Sequence, residues 1–158
     1  MNTVSLFLSM TLILIIFYTV TRKKNNLLVH IFVLMAIEFL FTSFISVIAD
    51  NESLWKISKN PQQFLMFRVA EVLIFPLLLL WYLELNRLLG TFSKKLLLYL
   101  TWTFLLAGFE RALSFIDILE YTKWELWASF LSWALFLAVT ILLGKIFSSI
   151  LRKEGIEP

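Results

Sequence analysis

The chain has 158 residues, 60% of them apolar and 16% charged, against about 45–50% and about 25% in soluble domains. A mean hydropathy of +0.86, with 16 Phe and only 4 Gly, gives more apolar surface than a soluble core of this size can enclose. A soluble globular domain, a disordered chain, and collagen-like or nucleic-acid-binding classes are excluded, and the formal charge of +3 matters by where it falls.

A helix of about 20 residues crosses a bilayer, and five apolar stretches of that order are present, 4–21, 27–49, 61–83, 96–116 and 124–144. They predict an all-α integral membrane bundle of five transmembrane helices forming a single domain over 1–158. In the first stretch the apolar run from Leu6 to Val20 is followed by Arg22-Lys23-Lys24. A secretory leader would have a small-residue cleavage site there, so the stretch reads as a retained span. The second carries His30 near its start and Glu38 about 16 Å in, close to the midplane at about 1.5 Å per residue. Asn60-Pro61 places a capping residue before a proline at the first helical position and starts the third span. Pro76 removes one backbone hydrogen bond inside it and predicts a kink. Gly90 marks the helix end, Ser93 is the expected cap of the fourth span, and the fifth ends at Gly144.

Lys and Arg in the loops set the orientation. Arg22, Lys23, Lys24, Arg87, Lys94, Lys95, Lys145, Arg152 and Lys153 fall on one side of the predicted bundle, and Lys56, Lys59 and Lys123 on the other. The second group is offset by Asp50, Glu52, Asp117, Glu120 and Glu125. The bias puts the N-terminus outside and the C-terminus inside. Trp55, Trp124 and Trp127 then lie near the outer interface and Trp81 and Trp102 near the inner one, as an aromatic belt.

Ionisable residues within a span are costly and are candidates for function. Glu38, Arg68, Glu71, Glu110 and Arg111 lie at depths that allow one polar cluster in the outer half of the bundle. Arg68 and Glu71 are i, i+3 neighbours. Thr103, Glu110, Ser114 and Asp117 share one helical face, and Glu38, Thr42 and Ser46 another. Arg111 points away from Glu110, which leaves Arg68 as the expected cationic partner of Glu110. Such a cluster either fixes helix packing or holds a ligand, an ion or a proton. His30 reads as an interfacial histidine and Glu84–Arg87 as a surface pair. With no Cys and one His, a conventional zinc site is not expected. A carboxylate-only metal site from Glu38, Glu71 and Glu110 is the weaker alternative. No HExxH, phosphate loop or nucleophilic triad is present, so no catalytic residue and no cofactor are assigned.

A proline inside a long apolar span, a Trp-bearing helix with an intramembrane Glu, then Tyr-x-x-Trp and a following Ser are carried here by Pro76, Trp102, Glu110, Tyr121, Trp124 and Ser129. Over roughly residues 64–145 this pattern resembles a family of small, uncharacterised polytopic membrane proteins of spore-forming Firmicutes. The resemblance implies a multi-pass protein of the bacterial cytoplasmic membrane with no assigned activity.

Two functions follow as expectations. The first is a small subunit or scaffold that acts by association with a membrane-protein partner or a second copy of itself. The second is a small transporter, channel or ligand sensor that uses the outer-half Glu/Arg cluster. A membrane enzyme with Glu110 as general base ranks behind both. Lipid is the expected surrounding, and nucleic acid is not an expected partner.

Overall fold

The computed structural model describes residues 3–20 and 26–156. It is all-α apart from one two-stranded ribbon. Helices α1 (Thr3–Val20), α2 (Leu27–Asn51), α3 (Pro61–Leu88), α4 (Phe92–Phe115) and α5 (Leu126–Lys153) follow in chain order. The last four are long and apolar enough to cross a membrane; α1 has a shorter apolar stretch, Phe7–Val20. Arg22, Lys23 and Lys24, counted above for orientation, lie outside the described residues.

The helix starts follow the expected local chemistry. The side-chain oxygen of Asn60 accepts from the Gln62 backbone N–H at 3.0 Å, and Asn26 does the same for Leu28 at 3.0 Å. At α4 the expectation is corrected: the helix begins at Phe92, with Thr91 rather than Ser93 at the cap position and no side-chain capping bond. The ends differ more. Chain stop signals lie beyond the apolar stretches, so α3 runs on to Leu88 and α5 to Lys153. Gly155, at φ 75°, closes α5, with the Ile156 N–H on the Leu151 carbonyl at 3.0 Å. This is the left-handed cap that terminates many helices. Gly144 instead lies within α5, where an added Cβ would come within 2.9 Å of Leu83 Cδ1. Its missing side chain lets α3 and α5 approach.

Pro76 follows a π-helical turn, Ala70–Ile74, in the middle of α3. The proline ring would press on the carbonyl four residues earlier, at Val72. The widened turn falls at that carbonyl and absorbs the defect. A second π segment, Ser46–Asn51, forms the end of α2. Helix α3 is the most buried and packs against all four of the others, whereas α4 makes its main contact with α5.

The ribbon was not expected. β1 (Trp55–Ile57), between α2 and α3, pairs antiparallel with β2 (Leu119–Tyr121), between α4 and α5. Trp55 faces Tyr121, Lys56 faces Glu120 and Ile57 faces Leu119. The opposite charges of Lys56 and Glu120 and the rings of Trp55 and Tyr121, 6.2 Å apart edge to face, are favourable cross-strand pairs. Asp117, at φ 57°, turns the chain out of α4, and the Ile118 N–H reaches the Leu113 carbonyl at 3.0 Å. The ribbon thus ties two inter-helix connections together and caps one end of the bundle.

Candidate functional site

The five residues predicted to form one cluster fall into two groups. Glu110, on α4, is 2% exposed. Its Oε1 accepts from the Tyr121 hydroxyl at 2.9 Å and from Ser129 Oγ at 2.7 Å; its Oε2 accepts from Trp133 Nε1 at 2.6 Å. The Ser129 hydroxyl in turn accepts from Trp124 Nε1 at 2.8 Å. Donors from β2 and α5 therefore occupy both oxygens of this carboxyl group, and all of them are neutral. Arg111 lies over the Tyr121 ring, its Cζ 4.0 Å from the centroid, a cation–π contact. Burial pushes the Tyr121 phenol up, the charge of Glu110 and its hydrogen bond add to the rise, and Arg111 opposes it. Tyr121 therefore stays protonated as a donor. Trp133 stacks on Phe75 with centroids 4.6 Å apart, which anchors the network in the core.

The expected Arg68–Glu110 pair is not formed. Arg68 Nη1 instead donates to Glu71 Oε2 at 2.6 Å within α3, with the Arg68 side chain 47% exposed and that of Glu71 1% exposed. The reason is local: an i, i+3 neighbour on the same helix face meets Arg68 before any residue of α4 can. Glu71 lies on the π turn, and its other oxygen, Oε1, is buried with no hydrogen-bond partner. Glu38 on α2 lies within electrostatic range of Glu71, and its own Oε1 is also buried without a partner. The three acids weighed as a metal site do not converge, and among the described residues no three His, Cys, Asp or Glu side chains do.

Glu71 and Arg68 line a cleft of about 1160 Å³ at the ribbon end of the bundle. Thr42, Ser46 and Asp50 of α2, Lys56 and Ser58, and Ser114 and Asp117 line it as well. Thr42 and Ser46 also line a shallow groove that leads to Glu38. Of the stripe Glu38–Thr42–Ser46 read from helical spacing, Glu38 lines only the adjoining groove, and Thr42 and Ser46 line the cleft. Both π segments contribute to its lining, and such turns are frequent at functional sites.

Two other expectations are corrected. Glu84 is buried and pairs with His30 Nε2 at 2.7 Å, joining α3 to α2 at the end opposite the ribbon, rather than lying at the surface with Arg87. Trp55, the first residue of β1, is buried and packs edge to face on Trp124 at 5.5 Å, rather than being presented at the surface as a belt residue is. Trp127, by contrast, is exposed.

Sequence reasoning missed Trp133 and the ribbon. Trp133 gave no signal because a Trp in an apolar run reads as lipid-facing. The ribbon had a weak one, the alternation of apolar and charged residues in Trp55-Lys56-Ile57 and Leu119-Glu120-Tyr121. Comparison with protein-family models, curated proteins and solved structures returned no match.

Proposed function

We propose that this is a multi-pass protein of a bacterial cytoplasmic membrane that binds a small polar solute in the ribbon-end cleft, as a ligand sensor or carrier. In this reading all five helices span, the ribbon end faces outside, and the C-terminus is inside. The loop charges support that orientation, and the membrane is the one the sequence resemblance implies. The carrying observation is the Glu71 carboxyl: 1% exposed, held by Arg68 on one oxygen, with the other buried and unpartnered, on a residue that lines the cleft. An unsatisfied buried acceptor is costly, and a solute bearing an ammonium or another strong donor would complete it. Glu38 adds a second unfilled acceptor at nearby depth. The solute class is therefore a small organic cation.

The chain has no Cys, so a Cys introduced for Thr42 or Ser53 reports on the cleft directly. Both should react with a membrane-impermeant maleimide from outside, and choline, putrescine or methylammonium should slow the reaction in a Glu71-dependent way. Labelling from the inside only, or labelling that none of these amines alters, contradicts the reading. A subunit acting by association is the second reading, supported by the broad exposed apolar face of α1, including Leu12, Ile13 and Ile16. A constant second protein on purification in mild detergent would favour it.

A further inference from the structure

The end of the bundle opposite the ribbon holds a second cavity, of about 410 Å³, between α3, α4 and α5. Leu83 and Gly144 line it, and an added Cβ at Gly144 would require the Leu83 side chain to shift. Four cations line it: Arg87 from α3, Lys95 from α4, and Lys145 and Arg152 from α5, with no Asp or Glu among the lining residues. Lys145, Ser148, Ser149 and Arg152 stand at i, i+3, i+4 and i+7 on α5, so two cations and two hydroxyl donors share one face. None of the four cations is in an ion pair; among the described residues the ion pairs are His30–Glu84 and Arg68–Glu71. The positive-inside bias accounts for basic residues at this end. It does not account for their convergence, from three helices, on one cavity that has no acid among the described residues and also offers hydroxyl donors.

The geometry points to a binding site for a phosphate group in this cavity, presented by an anionic phospholipid headgroup or by free phosphate. Basic pockets between transmembrane helices on the cytoplasmic side suit phosphate-bearing headgroups. Arg gives a bidentate fork and Lys a point charge toward the phosphate oxygens. The hydroxyls of Ser148 and Ser149 supply further donors. This site is independent of the ribbon-end cleft, and either can fail without the other.

The test uses the full chain in a zwitterionic detergent, with short-chain phosphatidylglycerol as the probe and phosphatidylcholine of the same chain length as the control. The double variant Lys145→Gln/Arg152→Gln should weaken phosphatidylglycerol binding by roughly thirtyfold, at about fivefold per cation. The double variant Lys94→Gln/Lys153→Gln removes the same charge from the same end, outside the cavity, and should change it by about twofold or less. Competition by inorganic phosphate with the same variant dependence assigns the cavity to the free anion; no competition assigns it to the lipid headgroup. Equal losses in the two double variants would reduce the effect to diffuse surface charge and overturn the site, as would equal binding of the two lipids. Ser149→Cys gives a readout that does not depend on the charge variants: its maleimide labelling should slow with phosphatidylglycerol and not with phosphatidylcholine. Unchanged labelling contradicts the proposal.

Discussion

Glu110 and Glu71 are buried alike, at 2% and 1% exposure, on the adjacent helices α4 and α3, yet they are used differently. Glu110 spends both oxygens on three neutral donors, from Tyr121, Ser129 and Trp133. It therefore joins α4, β2 and α5 into one unit. Glu71, which lines the cleft, has a single cationic neighbour one helical turn away, half in solvent, and keeps one buried oxygen unfilled. Burial alone does not separate a structural acid from one available to a ligand. What separates them is how many acceptor positions the fold itself has filled.

Glu110→Leu is expected to have the largest effect. It leaves a hydroxyl on Tyr121, a hydroxyl on Ser129 and the indole N–H of Trp133 without their acceptor. At roughly 1 kcal/mol for each, the loss is about 2–4 kcal/mol in chemical unfolding in mixed micelles. A loss below about 1 kcal/mol would mean that Glu110 does not organise this region. Trp133→Phe keeps a ring against Phe75 but removes the donor to Oε2, and should cost about 1 kcal/mol in the same assay. A silent substitution would place the network's strength in Tyr121 and Ser129 alone. Arg68→Gln should cost about 1 kcal/mol, because the glutamine amide can still donate to the buried Glu71 and the charge it removes sits on a side chain that is 47% exposed. The same change should still weaken amine protection of a Cys placed at Thr42. A large loss of stability would move Glu71 into the structural class with Glu110. Last, a double-mutant cycle between Glu110→Leu and Arg68→Leu should be additive within about 0.5 kcal/mol, since the two side chains have separate partners. Strong coupling would restore the single cluster that spacing suggested.

Much of the fold was legible because bilayer length and apolar runs dominate a chain this hydrophobic. The Asn60-Pro61 start, the Arg68–Glu71 pair and the burial of Glu110 followed from local rules of capping, i, i+3 spacing and helical face. The partner of Glu110 did not follow. Depth along a helix says which residues share a level, but not which helix faces which, and Arg68 already had a nearer acid. Tyr121, Trp124 and Ser129, which the sequence set beside Glu110, lie with it in one hydrogen-bonded chain that spacing alone did not reveal. Helix ends were misplaced for a physical reason as well. The apolar stretch ends before the hydrogen-bonded helix does, and the helix continues to its cap, which for α5 is Gly155.

The most direct test of the distinction compares thermal midpoints of Glu110→Gln and Glu71→Gln in one detergent. A glutamine at 110 keeps one acceptor oxygen, so either the Trp133 N–H or the Tyr121 and Ser129 hydroxyl hydrogens lose their acceptor whichever way the amide turns. Its midpoint should fall by several degrees, at about 2–4 °C per kcal/mol. A glutamine at 71 still offers an oxygen to Arg68 and should melt within about 2 °C of the parent chain. A larger fall for Glu71→Gln than for Glu110→Gln would contradict the account.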